Sequence, residues 1–250
     1  MMKKFMALGL AVVLAAAALT GCGNSAAKKT VKVIDVNLTD EEYAFGVDKT
    51  QPELLDSVNA FIKEIKENGT FDEICNHYFG DGTPVAVTSV ALDDSKDQLL
   101  VATNAAFEPF EYMQGESYYG IDMEIAAALA QYLGKELVIQ NMDFDAVCLS
   151  VGQQKCDIAM AGLTVREDRK EYVNFSDSYY SASQKLIVLS DDTEFDSCKT
   201  ADDVAALLAA KDASVKVGVQ TGTTGQLYVE GDAEWGFPGL AAEGVGYKNG

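Results

Sequence analysis

Two arginines three positions apart, Arg166 and Arg169 in the stretch "GLTVREDR", are candidates to bind an anion. An arginine guanidinium is planar and permanently charged, and it binds a carboxylate through two parallel hydrogen bonds. An arginine in so charged a stretch is also commonly one half of a surface ion pair. Residue type and spacing therefore indicate an anion site without deciding which arginine serves it.

A second candidate is the loop "QTGTTG" between a predicted strand and a predicted helix. Backbone N–H groups at a helix start favour negative charge, so such a loop can bind an anion. Thr223 and Thr224 are the preferred residues there, and Gln220 is a third. Taken alone, the loop is better explained as a tight strand-to-helix turn, and it becomes a candidate site only together with other motifs.

The cysteines and the single histidine do not follow a metal-binding pattern. Zinc sites need several ligands at short spacing, but the chain has no CxxC pair, and only His77 lies near a cysteine. We predict no metal and no cofactor, and a structural role for His77. The cysteines other than Cys22 allow three disulfide pairings, and free buried thiols are the default expectation for Cys75, Cys148, Cys156 and Cys198.

The hydrophobic pattern from residue 98 onward alternates between short apolar runs and amphipathic stretches. "LLVATNAAF" and "ELVIQN" are typical of strands, and "GIDMEIAAALAQYLG" between them is typical of a helix that ends at Gly134. The alternation continues through "CDIAMAGLT" to "SVKVGV". It predicts an α/β protein with mainly parallel sheets.

An earlier segment has the signals of two consecutive helices. The first begins at Pro52, carries an apolar face and ends at Asn68-Gly69. The sequence "TFDE", Thr70 to Glu73, predicts a capping box for the second. The preceding "EEYAFGVDK" predicts a strand against which the first helix packs.

The N-terminus has the features of a secretory signal. Lys3 and Lys4 precede the apolar run "FMALGLAVVLAAAALT", and Leu19-Thr20-Gly21-Cys22 resembles the lipobox of bacterial lipoproteins. We predict a signal peptide over residues 1–21, lipidation of Cys22, and a tether over residues 22–34. The chain would then be anchored to the cell membrane on its extracytoplasmic face. The alternative is an uncleaved membrane-spanning helix, for which the apolar run is short.

The formal net charge is −20 at pH 7. So acidic a protein is repelled by nucleic acid and by anionic lipid headgroups. We therefore expect no nucleic-acid partner. A solvated acidic surface is a sufficient explanation of the charge, which does not identify a ligand.

Several ordered motifs resemble the family 3 extracellular solute-binding proteins, the receptors of amino-acid ABC importers. They run from about residue 98 to about 230 and include "VATNAAFEPFEY", "NMDFDAVCLSVGQQKCDIAMAGLTVREDRKEYVNFSDSYY" and "KVGVQTGTTG". The resemblance implies a two-lobe type II periplasmic-binding-protein fold that closes on a free amino acid. It also implies a membrane-bound ABC permease as partner, and we expect a monomer.

The order of the segments departs from the family. The stretch from Glu53 to Gly80 resembles the C-terminal end of a member, placed first. Lobe 1 would comprise residues 35–80 and 98–188 with a linker over 81–97, and a partial lobe 2 would cover 189–250. Permutation and partial duplication both account for this order. We expect an incomplete lobe 2, without the family's strand whose acidic residue meets the ligand's ammonium group.

The resemblance also assigns the binding residues. It selects Arg169 as the carboxylate-binding arginine, adds the Thr164 hydroxyl and the Ala161-Gly162 backbone beside it, and makes "QTGTTG" the lobe 2 contribution. Phe107 and Phe144 match positions that sandwich the ligand's side chain. Asn104 matches a position where relatives that bind basic side chains often have Asp, which favours a neutral polar amino acid. Glu108 would restore a negative charge.

Two other functions fit the same fold. An enzyme needs a placed acid–base pair in the cleft, and we expect none, because the carboxylates of "REDR" are explained by a helix start and His77 lies in the tail segment. A sensor ectodomain needs a membrane span and an output domain after the lobes. A binding protein for a polar amino acid is the preferred hypothesis.

Overall fold

A computed structural model describes residues 29–249 of the chain. The predicted signal peptide and Cys22 lie outside the described residues. The helices are α1 Pro52–Asn68, α2 Thr70–Phe79, α3 Ile121–Leu133, α4 Val147–Gly152, α5 Glu167–Lys170, α6 Ala201–Ala209 and α7 Thr224–Glu230, with a 3-10 turn at Phe144–Ala146. The strands are β1 Val31–Val33, β2 Glu41–Tyr43, β3 Gly46–Asp48, β4 Gln98–Thr103, β5 Ala106–Phe107, β6 Glu111–Gln114, β7 Ser117–Tyr119, β8 Glu136–Asn141, β9 Ile158–Ala159, β10 Val173–Phe175, β11 Tyr180–Ala182, β12 Ile187–Leu189, β13 Lys216–Gln220 and β14 Glu243–Tyr247.

A five-stranded sheet in the order β10-β3-β9-β4-β8 is the centre of the larger unit. Strand β4 runs parallel to both β8 and β9. Strand β3 comes from the N-terminal segment and pairs antiparallel with β9 and β10. The sheet therefore needs segments from both sides of residues 81–97. We call this unit, residues 40–182, lobe 1.

Both faces of this sheet are covered. Helices α1, α2 and α3 bury Val58, Phe61, Ile74 and Leu129 in one core, and helix α4 buries Val147 and Val151 in a second. Full burial of an aliphatic or aromatic side chain stabilises the fold by about 1.5–3 kcal/mol. The packed cores therefore hold the sheet, and the residues that follow its strands, in a fixed arrangement.

Local signals account for α1. Pro52 occupies the first helical position, Glu53 lies in the first turn, and Gly69 ends the helix in the left-handed conformation at φ 86°. The capping box predicted at Thr70 is wrong. Gly69 both ends α1 and precedes α2, so Thr70 is already helical and no side chain caps α2. The Thr70 N–H instead donates to Asn68 Oδ1 at 2.9 Å.

Two antiparallel segments connect the units. Residues 31–43 run beside residues 180–189, with β2 paired to β11 and β1 paired to β12. Between the two pairs the Ile34 N–H donates to Leu186 O and the Leu38 N–H donates to Gln184 O. This ribbon divides the predicted single strand "EEYAFGVDK" into β2 and β3, because β2 pairs with β11 whereas β3 joins the central sheet.

The smaller unit, which we call lobe 2, comprises residues 30–38 and 184–249. Its core is formed by Ile34, Val36, Phe195, Cys198, Val204 and Leu208. Residues 31–34 were predicted as tether and residues 35–38 as lobe 1. The structure instead places 31–33 in a strand and buries Ile34 and Val36 in the lobe 2 core, because their side chains alternate inward along the ribbon.

The segment predicted as a linker, residues 81–97, lies against lobe 1. Val87 is buried and exchanges backbone hydrogen bonds with Tyr118, while Ser89 Oγ accepts from the Ile139 N–H. Residues 81–97 therefore connect α2 to β4 along the surface of lobe 1. Among residues 29–249, none of the helices is long and apolar enough to cross a membrane.

Candidate functional site

The candidate residues of lobe 1 follow the carboxyl ends of its parallel strands. Asn104 comes after β4, Phe144 follows β8, and Gly162 and Thr164 follow β9. Carboxyl ends of neighbouring parallel strands meet at one edge of a sheet, which is where ligands bind in open α/β sheets. The topology therefore brings together residues that are up to sixty positions apart in the sequence.

Arg169 is buried at this edge, with 7% of its surface exposed. Its Nη1 donates to Thr164 O at 2.8 Å and its Nη2 donates to Gly222 O of lobe 2 at 3.0 Å. Burial lowers the pKa of its guanidinium to about 10, so it remains a cation at neutral pH. Among the described residues no carboxylate pairs with Arg169, which leaves a buried cation suited to bind an anion.

Arg166 is also buried, but its charge is already neutralised. Its Nε and Nη2 donate to the two oxygens of Asp168 at 2.9 and 2.6 Å. Its Nη1 donates to Gly222 O at 3.2 Å. The structure therefore distinguishes two arginines that residue type and spacing left equivalent, and its contacts favour Arg169, the one that the family resemblance selects.

Thr164 connects Arg169 to a carboxylate that the sequence analysis missed. Its carbonyl accepts from Arg169, and its hydroxyl donates to Glu41 Oε2 at 2.5 Å. Glu41 is the first residue of β2 and is almost fully buried. Along β2 the burial alternates, with Glu42 exposed between Glu41 and Tyr43. Residues two positions apart on a strand lie on the same face. An expected buried position for Tyr43 could therefore have indicated that Glu41 is buried too.

The Ala161-Gly162 backbone, which was predicted to lie close to the ligand, has one of its donors bonded within lobe 1. Both residues are buried, and the Gly162 N–H donates to Asp122 Oδ2 at 2.8 Å. That donor is therefore not free for a ligand. Gly162 is in the left-handed region at φ 53°, and a Cβ there would lie 3.0 Å from the Phe107 ring. Glycine is needed for the turn that directs Thr164 into the site.

The two predicted aromatic residues differ in their partners. Phe107 is 37% exposed and stacks on Phe110, with ring centroids 5.5 Å apart. Phe144 lies beneath Arg169, whose guanidinium carbon is 5.2 Å from the ring centroid. This cation–π contact orients the guanidinium, so Phe144 supports the arginine, whereas Phe107 offers an exposed aromatic face.

Lobe 2 meets lobe 1 through the predicted "QTGTTG" loop. Gln220 Nε2 donates to Asn104 Oδ1 at 2.9 Å, and Asn104 Nδ2 donates to Met142 O at 2.7 Å. The Thr223 hydroxyl caps α7 by accepting from the Gln226 N–H. The Thr224 hydroxyl is buried and has no partner within the described residues. The two lobes therefore lie in contact, with the Gly222 carbonyl on both arginines.

His77, on α2, lies outside this site. His77 Nδ1 is 2.8 Å from Glu124 Oε2, and this nitrogen–oxygen contact joins α2 to α3. Cys75, Cys148, Cys156 and Cys198 are free thiols, and all but the half-buried Cys75 are buried. In residues 29–249 no group of three or more His, Cys, Asp or Glu side chains is arranged to hold a metal ion.

Comparisons with known proteins show the family of the chain. The bacterial extracellular solute-binding proteins, family 3, match residues 99–230, more than half of the chain. The arginine-binding extracellular protein ArtP of Bacillus subtilis is 35% identical over 99 residues, which are 40% of this chain and 39% of that protein. A probable histidine-binding protein of Neisseria gonorrhoeae is 29% identical over 130 residues, 52% of this chain and 44% of that protein.

Solved structures agree with this placement. An ancestral arginine-binding protein bound to arginine is similar at a TM-score of 0.50 and 32% identity, over 62% of each chain. The ancestral amino-acid-binding protein AncCDT-1, a precursor of cyclohexadienyl dehydratase, also gives a TM-score of 0.50 and 32% identity, over 61% of this chain and 62% of that one. The predicted two-lobe α/β fold is thereby confirmed. The chain spans less than half the length of the curated relatives named above, and it belongs to the bacterial extracellular solute-binding proteins, family 3.

Proposed function

We propose that the chain binds a free polar amino acid between its two lobes and that Arg169 binds the ligand's α-carboxylate. The observation that carries the proposal is the buried Arg169 guanidinium, whose polar partners among the described residues are two backbone carbonyls. A carbonyl satisfies a guanidinium N–H but does not neutralise its charge. A carboxylate does both, through charge-assisted hydrogen bonds that are about twice as strong as neutral ones.

Ligand binding replaces an existing contact in this proposal. The Gly222 carbonyl accepts from both Arg166 and Arg169, so the ligand's carboxylate takes the place of that carbonyl on Arg169. The lobes separate to admit the ligand and close on it again, since the closed state adds contacts from lobe 2. The unpartnered Thr224 hydroxyl is the lobe 2 donor available for such a contact.

The ligand's side chain extends toward Phe107 and Asn104. The Asn104 amide already forms hydrogen bonds with Gln220 and Met142. It therefore joins the two lobes beside the ligand's side chain, and other groups would have to recognise a charged side chain. The names of the relatives include arginine and histidine, whereas the neutral Asn104 favours an uncharged polar ligand. Arginine, histidine and glutamine are therefore the ligands to test first.

We further propose that the protein delivers this ligand to an ABC permease as a binding protein rather than an enzyme. Its relatives are named as extracellular or periplasmic binding proteins, and one as a probable ABC transporter arginine-binding protein. Cys22 would hold it on the outer face of the cell membrane through lipid, and one copy suffices for binding.

Isothermal titration of the purified chain with L-arginine, L-histidine and L-glutamine tests the proposal. We expect saturable binding of at least one, and at least ~30-fold weaker binding of its carboxamide, because an unpaired buried charge costs about 2–5 kcal/mol. The carboxamide keeps the side chain and the ammonium group and lacks only the carboxylate. Absence of binding by all three amino acids, or equal binding of acid and amide, would contradict the proposal.

A further inference from the structure

An exposed apolar face lies on the outer end of the ribbon, where β1 pairs with β12. Val31 is directly opposite Leu189, and Val33 is directly opposite Ile187. All four side chains are at least 37% exposed, and Val31 and Ile187 are more than half exposed. Residues two positions apart on a strand share a face, so the four side chains form one continuous patch. We call these four residues the ribbon patch.

The opposite face of the same two strands packs on lobe 2. Val188 in β12 and Ile34, just after β1, belong to the lobe 2 core. Toward lobe 1 the ribbon patch ends at Asp35 and Lys185, which form an ion pair. Exposed aliphatic residues are common singly, whereas contiguous exposed apolar patches mark interaction sites. The ribbon patch is therefore a candidate surface for contact with another molecule.

The ribbon patch lies where the chain leads back to Cys22. Its first residue, Val31, begins β1 and is the third residue that the structure describes. Residues 22–30 separate the predicted lipidation site from the patch. A stretch of that length spans at most about 30 Å when it is fully extended. A lipid on Cys22 would therefore keep the patch close to the surface of the bilayer.

The charge of the N-terminal segment differs from that of the rest of the chain. Residues 22–34 carry three lysines and no acid, and the first acidic residue of the chain is Asp35. The formal net charge of the whole chain is −20. Anionic lipid headgroups repel such a protein but attract lysines close to the surface. The ribbon end is therefore the part that a membrane repels least, whereas a second copy of the chain would oppose two proteins of the same net charge.

We propose that the ribbon patch docks on the lipid bilayer to which Cys22 anchors the protein. Lipid-anchored proteins are held more stably when a second signal adds to the acyl chain, and here the four aliphatic side chains supply it. The contact also gives the protein a defined orientation, with lobe 2 next to the bilayer. This inference rests on the proposed lipid anchor and is independent of which amino acid binds.

The test places a tryptophan in the patch and measures whether lipid reaches it. Trp235, the single tryptophan of the chain, is replaced by Phe, and Val33→Trp is introduced. The lipidated chain is reconstituted in vesicles of equal parts phosphatidylcholine and phosphatidylglycerol, with or without brominated acyl chains, which quench tryptophan fluorescence. Leu149→Trp is the matched control, because Leu149 on α4 of lobe 1 is 39% exposed and Val33 is 37% exposed.

We expect brominated lipid to remove most of the Val33→Trp fluorescence, because docking brings the indole to the acyl region of the bilayer. Leu149→Trp should keep the intensity that it has in vesicles without bromine. Equal quenching at the two positions, or none at either, would overturn the inference. An unquenched Val33→Trp signal in a chain that sediments as a dimer would assign the patch to a second copy and would also contradict docking on lipid.

A second variant separates docking from the effect of a short tether. Val31→Asn combined with Ile187→Asn removes apolar surface and keeps Cys22, so the quenching of Val33→Trp should fall to the level of the control. Unchanged quenching would mean that the tether alone brings this position to the lipid, and the inference would be wrong. If the double variant fails to fold by circular dichroism, Ile187→Thr is measured in its place, with a smaller decrease expected.

Mass spectrometry of the membrane-derived protein tests the anchor itself. An acyl modification on Cys22 is expected, and its absence would refute the inference. The amino-acid titrations are made on the chain in solution, so their failure would refute the proposed binding function and leave the result on vesicles unaffected.

Discussion

The two lobes contribute to the cleft in different ways. Lobe 1 and the ribbon supply charged side chains fixed in buried networks, Arg169 above Phe144 and Glu41 beneath Thr164. Lobe 2 supplies the Gly222 carbonyl and neutral side chains such as Gln220. In the binding mode that we propose, the charged contacts to the ligand therefore come mainly from one side of the cleft.

The hydrophobic interior of lobe 1 is also larger than that of the described part of lobe 2. Lobe 1 has a five-stranded sheet with a core on each face. In the described part of lobe 2, one small core lies beside two separate two-stranded sheets, β1-β12 and β13-β14. A charged site needs a rigid support to hold its geometry, and the larger cores belong to lobe 1, which holds Arg169. Lobe 2 should open locally more often than lobe 1.

The largest expected effect is the loss of a lobe 1 core side chain. Phe45 is 1% exposed and stacks on Tyr179 with ring centroids 4.3 Å apart. Phe45→Ala should lower the free energy of unfolding by about 3–5 kcal/mol in urea denaturation, because it removes apolar burial and leaves a cavity.

Phe195→Ala is the matched change in the lobe 2 core. By hydrogen exchange it should remove protection from α6 and β12 while β4 and β8 keep theirs. Equal loss of protection in both lobes after Phe195→Ala would show that they unfold as one unit, and the contrast between them would then be wrong.

A smaller effect concerns a buried acid of lobe 1. Burial raises the pKa of the Asp122 carboxyl to about 7, against the hydrogen bonds it accepts from the Gly162 N–H and the Tyr179 hydroxyl. The folded state therefore retains a proton that the unfolded state releases near pH 4. Stability from this group falls as pH rises from about 4 to about 7, by up to about 1.4 kcal/mol per pH unit.

Asp122→Asn should flatten the stability profile over that range when unfolding free energies are measured at several pH values. Glu116→Gln is the control, since Glu116 is an exposed acid of the same lobe and its loss should leave the profile close to that of the wild type. A wild-type slope in Asp122→Asn would mean that Asp122 does not titrate in this range in the folded protein.

Local signals in the sequence were sufficient for the regular elements of lobe 1. The sequence signals at Pro52, Gly69 and Gly134 placed the ends of α1 and α3 where the structure has them. The capping box predicted at Thr70 is absent, because Gly69, which ends α1, also occupies the N-cap position of α2. The cap motif "TFDE" alone does not show that the preceding glycine takes this position.

The site could be predicted only in part, because its contacts join distant segments. The family resemblance led to Arg169 and Thr164, but the unbalanced charge of Arg169 and the pairing of Arg166 with Asp168 depend on the folded arrangement. Glu41 contacts Thr164 across 123 positions of sequence. Strand spacing places Glu41 on the same face as Tyr43, but no local feature of "TDEEYAF" identifies Thr164 as its partner.

The most direct test of the central claim is the affinity of Arg169→Lys and Arg166→Lys for the amino acid that the wild type binds. Lysine keeps the charge and loses the planar fork that matches a carboxylate. Calorimetry should show a loss of at least ~10-fold for Arg169→Lys, since hydrogen bonds to charged groups contribute about 1.5–3 kcal/mol each, and near wild-type binding for Arg166→Lys. Equal losses in the two variants, or unchanged binding by Arg169→Lys, would contradict the account.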